Sequence, residues 1–338
     1  MHLRPFFALT LVGALHGFAP GASAQGVAEP SAEPQEVRAW LMRIHEAASK
    51  RNFQGTFVVS GGGEVSSARI AHYCEGTNQY ERIESLDGQA RHVFRYNDVV
   101  HTVWPGSRVA VIEQSQLLMS FPALLQAGDD RIVDFYDVRP QGSDRVAGHD
   151  ANVLLVKPKD AYRYGYRLWS EKVSGLLLRA DVLGDRSEVL ETSAFSDVVI
   201  GVKPQPESVL QPMKRLDGYR VVRAVLTPTN LEAEGWNLRD AAPGFRQVSC
   251  VRRPMDGPSG DRDGGADPVL QTIYSDGLTY VSIFIEPFNA QRHTRSMLAS
   301  VGATQTLMRR QGDWWITVVG DVPVGTLKMF ARGLERKR

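Results

Sequence analysis

The chain is poor in cysteine: Cys74 and Cys250 are the only two among 338 residues. At most one disulfide can form, and it would join parts of the chain that are far apart in sequence. An oxidising compartment would permit this bridge. The alternative is two separate thiols, and the sequence leaves both open.

The chain also lacks an excess of charge of either sign, because 39 Lys and Arg residues face 38 Asp and Glu residues. A protein that binds nucleic acid normally carries a basic excess that neutralises phosphates. The balance therefore argues against nucleic acid as a partner.

Long apolar runs are missing outside the first residues. Residues 1–24 contain Arg4, an apolar run over 6–19 and the small residues Ala22-Ser23-Ala24 at the end. This order is typical of a signal peptide that is cleaved after Ala24. The run is short for a membrane span, so a retained anchor is the weaker alternative. No cysteine follows the cleavage position, so we expect a soluble exported protein without a lipid anchor.

Motifs of catalytic and metal sites are missing as well. No G-x-S-x-G nucleophile elbow occurs, and the glycines at 61–63 lack the Lys-Ser/Thr of a phosphate loop. Cys74 and His72 share one predicted strand without a third orienting group. The remaining histidines are scattered singly along the chain. We therefore predict a binding protein rather than an enzyme, without metal or cofactor. An envelope hydrolase built on carboxylates stays open as an alternative.

Residues 160–197 carry the clearest strand pattern. Apolar side chains at every second position from Tyr162 to Leu168 alternate with Arg163, Gly165 and Arg167, as in a half-buried strand. Polar turns at 170–175 and 184–187 divide the stretch into three antiparallel strands. The apolar face of such a sheet must be covered by another element.

The chain divides into two predicted domains. Residues 25–205 begin with an amphipathic helix over 36–50 and continue with short strands joined by tight turns such as Asp87-Gly88. This rhythm favours one large curled antiparallel sheet or an open, unclosed antiparallel β-barrel. The apolar stretch 116–127 interrupts the strands and is predicted to be a helical lid.

The second domain follows a short connection. Residues 206–217 are predicted to be a linker, because the stretch 203–215 contains three prolines. Residues 218–338 begin with a strand at 219–226 and end with a helix over 322–333. The predicted fold class is mixed α+β, with the large barrel followed by a small sheet-and-helix domain.

Aromatic residues are the noticeable surplus of the first domain. Taken singly, most of them belong in an ordinary core. An unclosed barrel, however, commonly leaves an apolar cavity at its mouth. We predict a cavity for an apolar ligand, lined by Phe57, Phe94, Trp104, Phe121, Tyr164, Tyr166 and Trp169.

Five segments occur in an order that resembles a known family. They are 162–169 (YRYGYRLW) leading into 175–183 (GLLLRADVL), 227–229 (TPT), 242–245 (APGF), 274–278 (YSDGL) and 318–323 (VVGDVP). Behind a signal peptide and over nearly the whole mature chain, this order resembles the RseB/MucB regulators of the sigma-E envelope stress response.

The resemblance implies a large domain similar to the lipoprotein carrier LolA. It also implies a periplasmic protein that binds the periplasmic part of an RseA/MucA-type anti-sigma factor and shields it from site-1 proteolysis. Lipopolysaccharide or another acylated lipid would enter the cavity and release that partner. Arg163, Arg167 and Arg179 are candidates to hold lipid phosphates near the mouth; the alternative for them is ordinary solvation on a wet strand face. A LolA-like carrier of lipoproteins or lipids is the alternative function, and a homodimer is left open.

For the anti-sigma factor we expect a rigid hairpin edge and aromatic anchors in the second domain. The candidate residues are Tyr274, Asp276, Leu278, Trp314 and Trp315.

Overall fold

The structure is a computed structural model that describes residues 33–114, 131–253 and 268–337. The predicted signal peptide and the predicted lid at 116–127, which includes Phe121, lie outside these residues.

A large sheet contains twelve strands of the described chain. These strands are β1 (Phe53–Gly61), β2 (Glu64–Glu75), β3 (Asn78–Ser85), β4 (His92–Tyr96), β5 (Val99–Trp104), β6 (Val109–Gln114), β7 (Tyr136–Val146), β8 (His149–Pro158), β9 (Gly165–Glu171), β10 (Leu177–Leu183), β11 (Val189–Ile200) and β12 (Arg220–Ala224). They lie in the order β12-β6-β5-β4-β3-β2-β1-β11-β10-β9-β8-β7, so β12 and β7 are the two ends of an unclosed sheet.

Two helices accompany the first part of the large sheet. Helix α1 (Pro34–Lys50) buries Val37, Leu41 and Ile44 against strands β8 to β10. These residues recur at helical spacing, so one face of the helix is apolar. The one-turn helix α2 (Ile132–Phe135) leads directly into β7.

Strand β9 begins three residues later than the alternating pattern predicts. Residues 160–163 form a turn instead, in which the Asp160 carboxylate accepts hydrogen bonds from the Tyr162 backbone N–H at 2.9 Å and from Arg163 Nε at 3.0 Å. This local hydrogen bonding competes with the strand ladder and delays the start of the strand.

The predicted linker contains a docked helix. Helix α3 (Glu207–Lys214) buries Val209 completely against Tyr80, Phe94 and Val103 of the large sheet. The sequence signal is a short apolar stripe with Pro206 at the position that precedes the helix, where the missing N–H is tolerated. Because three prolines dominate the composition here, the sequence predicts a spacer, and the structure corrects this prediction.

The strand predicted to open the second domain lies in the large sheet. Strand β12 pairs in parallel with β6, with Val222 opposite Val111. All other neighbouring pairs of this sheet are antiparallel. Nothing in the local pattern of 219–226 indicates a partner more than 100 residues away, so only the tertiary structure reveals it.

The second part of the chain forms a smaller sheet with one helix packed on it. The strands in this part of the chain are β13 (Thr227–Pro228), β14 (Trp236–Leu238), β15 (Arg246–Arg253), β16 (Val269–Ser275), β17 (Tyr280–Pro287), β18 (Met297–Val301), β19 (Thr304–Gln311), β20 (Trp314–Gly320) and β21 (Leu334–Arg336), with helix α4 (Val324–Gly333) before the last. Seven of the described strands pair in the order β13-β15-β16-β17-β20-β19-β18, while β14 pairs with β21.

Helix α4 covers one face of the small sheet. Leu327 and Phe330 of the helix pack against Ile283, Ile316 and Val318 of the sheet, and all five are fully buried. The prediction of a mixed α+β fold, with a large unclosed antiparallel sheet and a small sheet-and-helix part, is confirmed.

The burial of Val209 gives a test of the docked helix α3. We expect Val209→Ala to lower the free energy of unfolding by about 2 kcal/mol, because the change leaves a cavity under the helix. Urea denaturation measures this value. The matched control is Val225→Ala, whose side chain is 72% exposed and whose effect should stay within about 0.5 kcal/mol. Equal effects of the two changes would show that α3 is not docked in solution.

Candidate functional site at the contact between the two sheets

The predicted cavity residues do not form one group among the described residues. Phe57 packs with Phe195, their ring centroids 5.8 Å apart, in a cluster that also contains Trp169. Phe94 lies under helix α3, and Trp104 packs beside β6 and β12. Phe94 lies opposite His101 in the cross-strand register, and Trp104 of the same strand as His101 lies opposite Val109. Because side chains alternate along a strand, His101 and Trp104 face opposite sides of the sheet, and so do Phe94 and Trp104.

Tyr164 and Tyr166 face the small sheet. The hydroxyl of Tyr164 is hydrogen-bonded to Gln305, and that of Tyr166 is hydrogen-bonded to Thr279. Burial raises the pKa of both phenols, so both stay protonated at neutral pH. The small sheet and α1 are therefore what covers the apolar face of residues 160–197.

Arg163 is fully buried where the two sheets meet. Its Nη1 donates to Asp276 Oδ2 at 2.8 Å, its Nε donates to Asp160, and its Nη2 donates to the Pro243 carbonyl oxygen. The guanidinium also lies 4.6 Å from the ring centroid of Phe135 and 5.3 Å from that of Phe245, within the range of a cation–π interaction. The alternating pattern suggested a wet position near lipid phosphates, and the structure corrects this, because the small sheet covers the guanidinium.

Asp276 is the partner of Arg163 and is also fully buried. Its Oδ1 accepts hydrogen bonds from the backbone N–H groups of Leu278 and Thr279, each at 2.9 Å. Its Oδ2 accepts from Arg163 and from the Tyr136 hydroxyl at 2.9 Å. Burial and the adjacent carboxylate raise the pKa of Tyr136 well above its ordinary value. The carboxylate thus has four donors, two from each sheet.

Apolar side chains cross the same contact in both directions. Leu278, in the turn before β17, packs into the core cluster of the large sheet with Leu41 and Tyr166. Tyr162 packs against the core of the small sheet, and its carbonyl accepts a hydrogen bond from Thr326 Oγ1 of α4 at 2.8 Å. We call Tyr136, Tyr162, Arg163, Asp276 and Leu278 together the sheet contact. Residues Ser31–Arg338 accordingly belong to one compact unit.

A second meeting point lies at the tips of two hairpins. A Cβ placed on Gly62 would lie 2.7 Å from the backbone nitrogen of Gly302, so only glycine fits. Nearby, Glu191 accepts a hydrogen bond from the Ala303 backbone N–H at 3.3 Å. Burial raises the pKa of Glu191, and the charge of Asp321 raises it further. Burial likewise raises the pKa of Asp321, although Thr304 donates to its Oδ1.

The candidate binding residues of the small sheet differ in exposure. Tyr274 is buried against Phe330 of α4, and Asp276 and Leu278 belong to the sheet contact. Trp314 is half-buried beside Trp236 in the core under α4, with ring centroids 5.6 Å apart. Trp315 points to the opposite face. There it is buried by a stacked contact with His293, at 4.7 Å between ring centroids. Trp314 is the one of the five that is open to solvent.

Cys74 and Cys250 are free thiols. No group of three or more His, Cys, Asp and Glu side chains in the described ranges is placed to hold a metal ion. None of the helices in the described part of the chain is long and apolar enough to cross a membrane.

Comparison with known proteins identifies the family. The model of the MucB/RseB N-terminal domain matches residues 36–213, and that of the MucB/RseB C-terminal domain matches residues 230–335. The chain belongs to the MucB/RseB family. The RseB/MucB resemblance of the sequence motifs is therefore confirmed.

Three individual relatives agree with this membership. The Sigma factor AlgU regulatory protein MucB of Pseudomonas aeruginosa is 31% identical over 91% of this chain and 94% of its own length. The Sigma-E factor regulatory protein RseB of Escherichia coli K12 is 24% identical, over 88% of this chain and 90% of its own. A crystal structure of MucB in complex with MucA(peri) is 28% identical, with a TM-score of 0.63, over 89% of this chain and 98% of that chain. This MucB/RseB chain therefore matches its relatives over nearly their full length.

The buried ion pair gives a test of the sheet contact. We expect Arg163→Ala to lower the free energy of unfolding by about 3–5 kcal/mol, because Asp276 keeps a buried charge without its cation. The double change Arg163→Ala/Asp276→Ala should cost less than the sum of the two single changes. Chemical denaturation measures all three. The control is Arg239→Ala, which removes an exposed ion pair with Glu335 and should cost about 0–1 kcal/mol. An equal loss in Arg163→Ala and Arg239→Ala would contradict the assignment.

The raised pKa of Asp321 predicts a pH dependence of stability. Between the ordinary value of 3.8 and the raised value, the folded protein binds a proton that the unfolded chain has released. The free energy of unfolding therefore falls as pH rises through this window. We expect Asp321→Asn to flatten this fall in denaturant titrations across mildly acidic pH, because an amide does not titrate. Asp313→Asn, on an exposed turn, should keep the wild-type slope, and an unchanged slope in Asp321→Asn would refute the prediction.

Proposed function

We propose that this protein is a periplasmic negative regulator of sigma-E-type signalling. It binds the periplasmic part of an RseA/MucA-type anti-sigma factor and shields that part from site-1 proteolysis. Lipopolysaccharide or another acylated lipid releases the partner. In this role the protein is a binding protein and catalyses no reaction.

The observation that carries the proposal is the match over nearly the whole chain to regulators named MucB and RseB. A solved relative of the same fold is a MucB in complex with MucA(peri). The residues 1–24 with their signal-peptide pattern support export to the periplasm.

The sheet contact supports a coupling between lipid and partner. Leu278 of the small sheet shares one apolar cluster with Tyr166 of the large sheet and with Leu41 of α1. A lipid chain that enters this cluster would compete with Leu278 for the same space. The ligand then favours a state in which the contact is open, and a partner that needs the closed state is released.

Exposure assigns different roles to the candidate residues. Trp314 is partly open to solvent and is proposed to contact the anti-sigma factor directly. Asp276 and Leu278 are buried in the sheet contact, so we propose that they act on binding through the position of the small sheet. The aromatic residues Tyr164 and Tyr166 then border the path by which a lipid reaches the contact.

The proposal is tested with the purified protein and the periplasmic segment of the anti-sigma factor encoded in the same organism. We expect binding by calorimetry, slower cleavage of the segment by the site-1 protease, and affinity about tenfold weaker after addition of lipopolysaccharide, a coupling of ordinary size. Dephosphorylated lipid-free oligosaccharide is the control and should leave binding unchanged. The proposal fails if the segment does not bind, or if it is cleaved equally fast with and without the protein.

A further inference from the structure

Strand β18 is the outermost strand of the small sheet. Its neighbour is β19, and no other strand of the described residues pairs with it. The side chains of Met297, Leu298 and Val301 are 40%, 47% and 61% exposed. Natural proteins usually protect such an edge with Lys, Pro or a bulge, and the five residues of β18 contain none of these. The edge is therefore available to another extended chain from Met297 to Ser300, while the hairpin tip at Gly62 lies next to Val301.

The register shows which backbone groups are available. Val301 lies opposite Thr304 across the two-residue turn Gly302-Ala303, and this closing pair exchanges hydrogen bonds. Hydrogen-bonded and non-bonded pairs alternate along an antiparallel ladder. Leu298 and Ser300 therefore direct their N–H and C=O groups away from β19, while Ala299 directs its groups toward β19.

The end of this edge next to Met297 is positively charged, whereas the carboxylates of Glu191 and Asp321 lie at its turn end, beside Ala303 and Thr304. Residues 288–312 contain four arginines and no Asp or Glu. Arg292 pairs with the buried Glu286, whereas Arg295 is exposed directly before β18. A second copy of this chain paired through β18 would bring the same arginines together, which opposes self-pairing. Carboxylates at the end of an added strand that lies next to Arg295 would complement this positive charge.

We infer that the β18 edge, Met297–Val301, binds an extended acidic segment of the anti-sigma factor by strand addition. This inference rests on the proposed function and names the surface and the chemistry of its partner. The backbone groups of Leu298 and Ser300 supply the ladder, and Arg295 favours carboxylates at the flank. Met297 and Val301 lie on one face of β18 and provide apolar contact to side chains of the added strand.

Amide hydrogen exchange tests the ladder without any mutation. In the free protein the amides of Leu298 and Ser300 should exchange fast and that of Ala299 slowly. Saturation with the periplasmic segment of the anti-sigma factor should slow exchange at Leu298 and Ser300 by about tenfold or more. Binding that leaves both amides fast would overturn the inference.

Matched variants test the same point by affinity. Leu298→Pro removes an outward N–H without touching the ladder to β19, and should weaken binding about tenfold, the size expected for a lost hydrogen bond with its neighbours. Leu298→Ala keeps the N–H and should weaken binding much less. If Leu298→Pro unfolds the small sheet, Arg295→Glu serves instead, with an expected loss of about tenfold. Its control is Lys328→Glu on α4, which reverses an exposed charge away from the edge and should leave affinity unchanged.

The outcomes separate this inference from the proposed function. If Leu298→Pro, Leu298→Ala and Arg295→Glu all bind the segment with wild-type affinity, the inference is overturned and the proposed function stands. If the segment does not bind the wild-type protein, the inference and the proposed function are both overturned. A dimer seen by light scattering without partner, and abolished by Leu298→Pro, would assign the edge to a second copy and also overturn the inference.

Discussion

The structure depends on an ion pair, Arg163 and Asp276, that is buried away from water. Both side chains are fully buried, and the hydrogen bonds described above join them to other groups of the protein. Removing one partner while the other stays buried is expensive, whereas full separation of the sheets returns both groups to water. Partial opening is therefore disfavoured relative to both extremes. In the proposed function, the sheet contact would be the two-state element that partner and ligand bias in opposite directions.

Apolar packing in the sheet contact fixes the position of the ion pair. Leu278 enters the core of the large sheet, and Tyr162 enters that of the small sheet. Each sheet therefore has a core that is complete only when the other is in place. Gly244, at a φ of 85°, allows the Phe135 ring to lie where any Cβ would collide with it. Such reciprocal packing fixes the relative orientation of the sheets more narrowly than a single ion pair would.

Local periodicity predicted most elements but not the contact. Helix α1 and the strands of both sheets follow apolar spacing that is visible in the sequence, as in Val37, Leu41 and Ile44. Helix α3 was missed because its prolines outweigh a stripe centred on Val209. The position of Arg163 was also missed, since alternation tells which residues share a face and not what covers that face. The sequence predicts Asp276 as a binding candidate on a hairpin edge, but its buried role depends on an arginine 113 residues earlier.

The two meeting points of the sheets differ in their electrostatics. At the sheet contact the carboxylate of Asp276 is fully compensated by four donors. At the hairpin tips Glu191 and Asp321, one from each sheet, raise each other's free energy when charged, and burial raises the pKa of both. The first holds the sheets together. At the second, burial and the Asp321 charge disfavour ionised Glu191, while the Ala303 N–H favours it. Protonation of Glu191 or Asp321 at lower pH therefore removes an unfavourable buried charge from the hairpin tips, whereas the Asp276 carboxylate keeps its four donors.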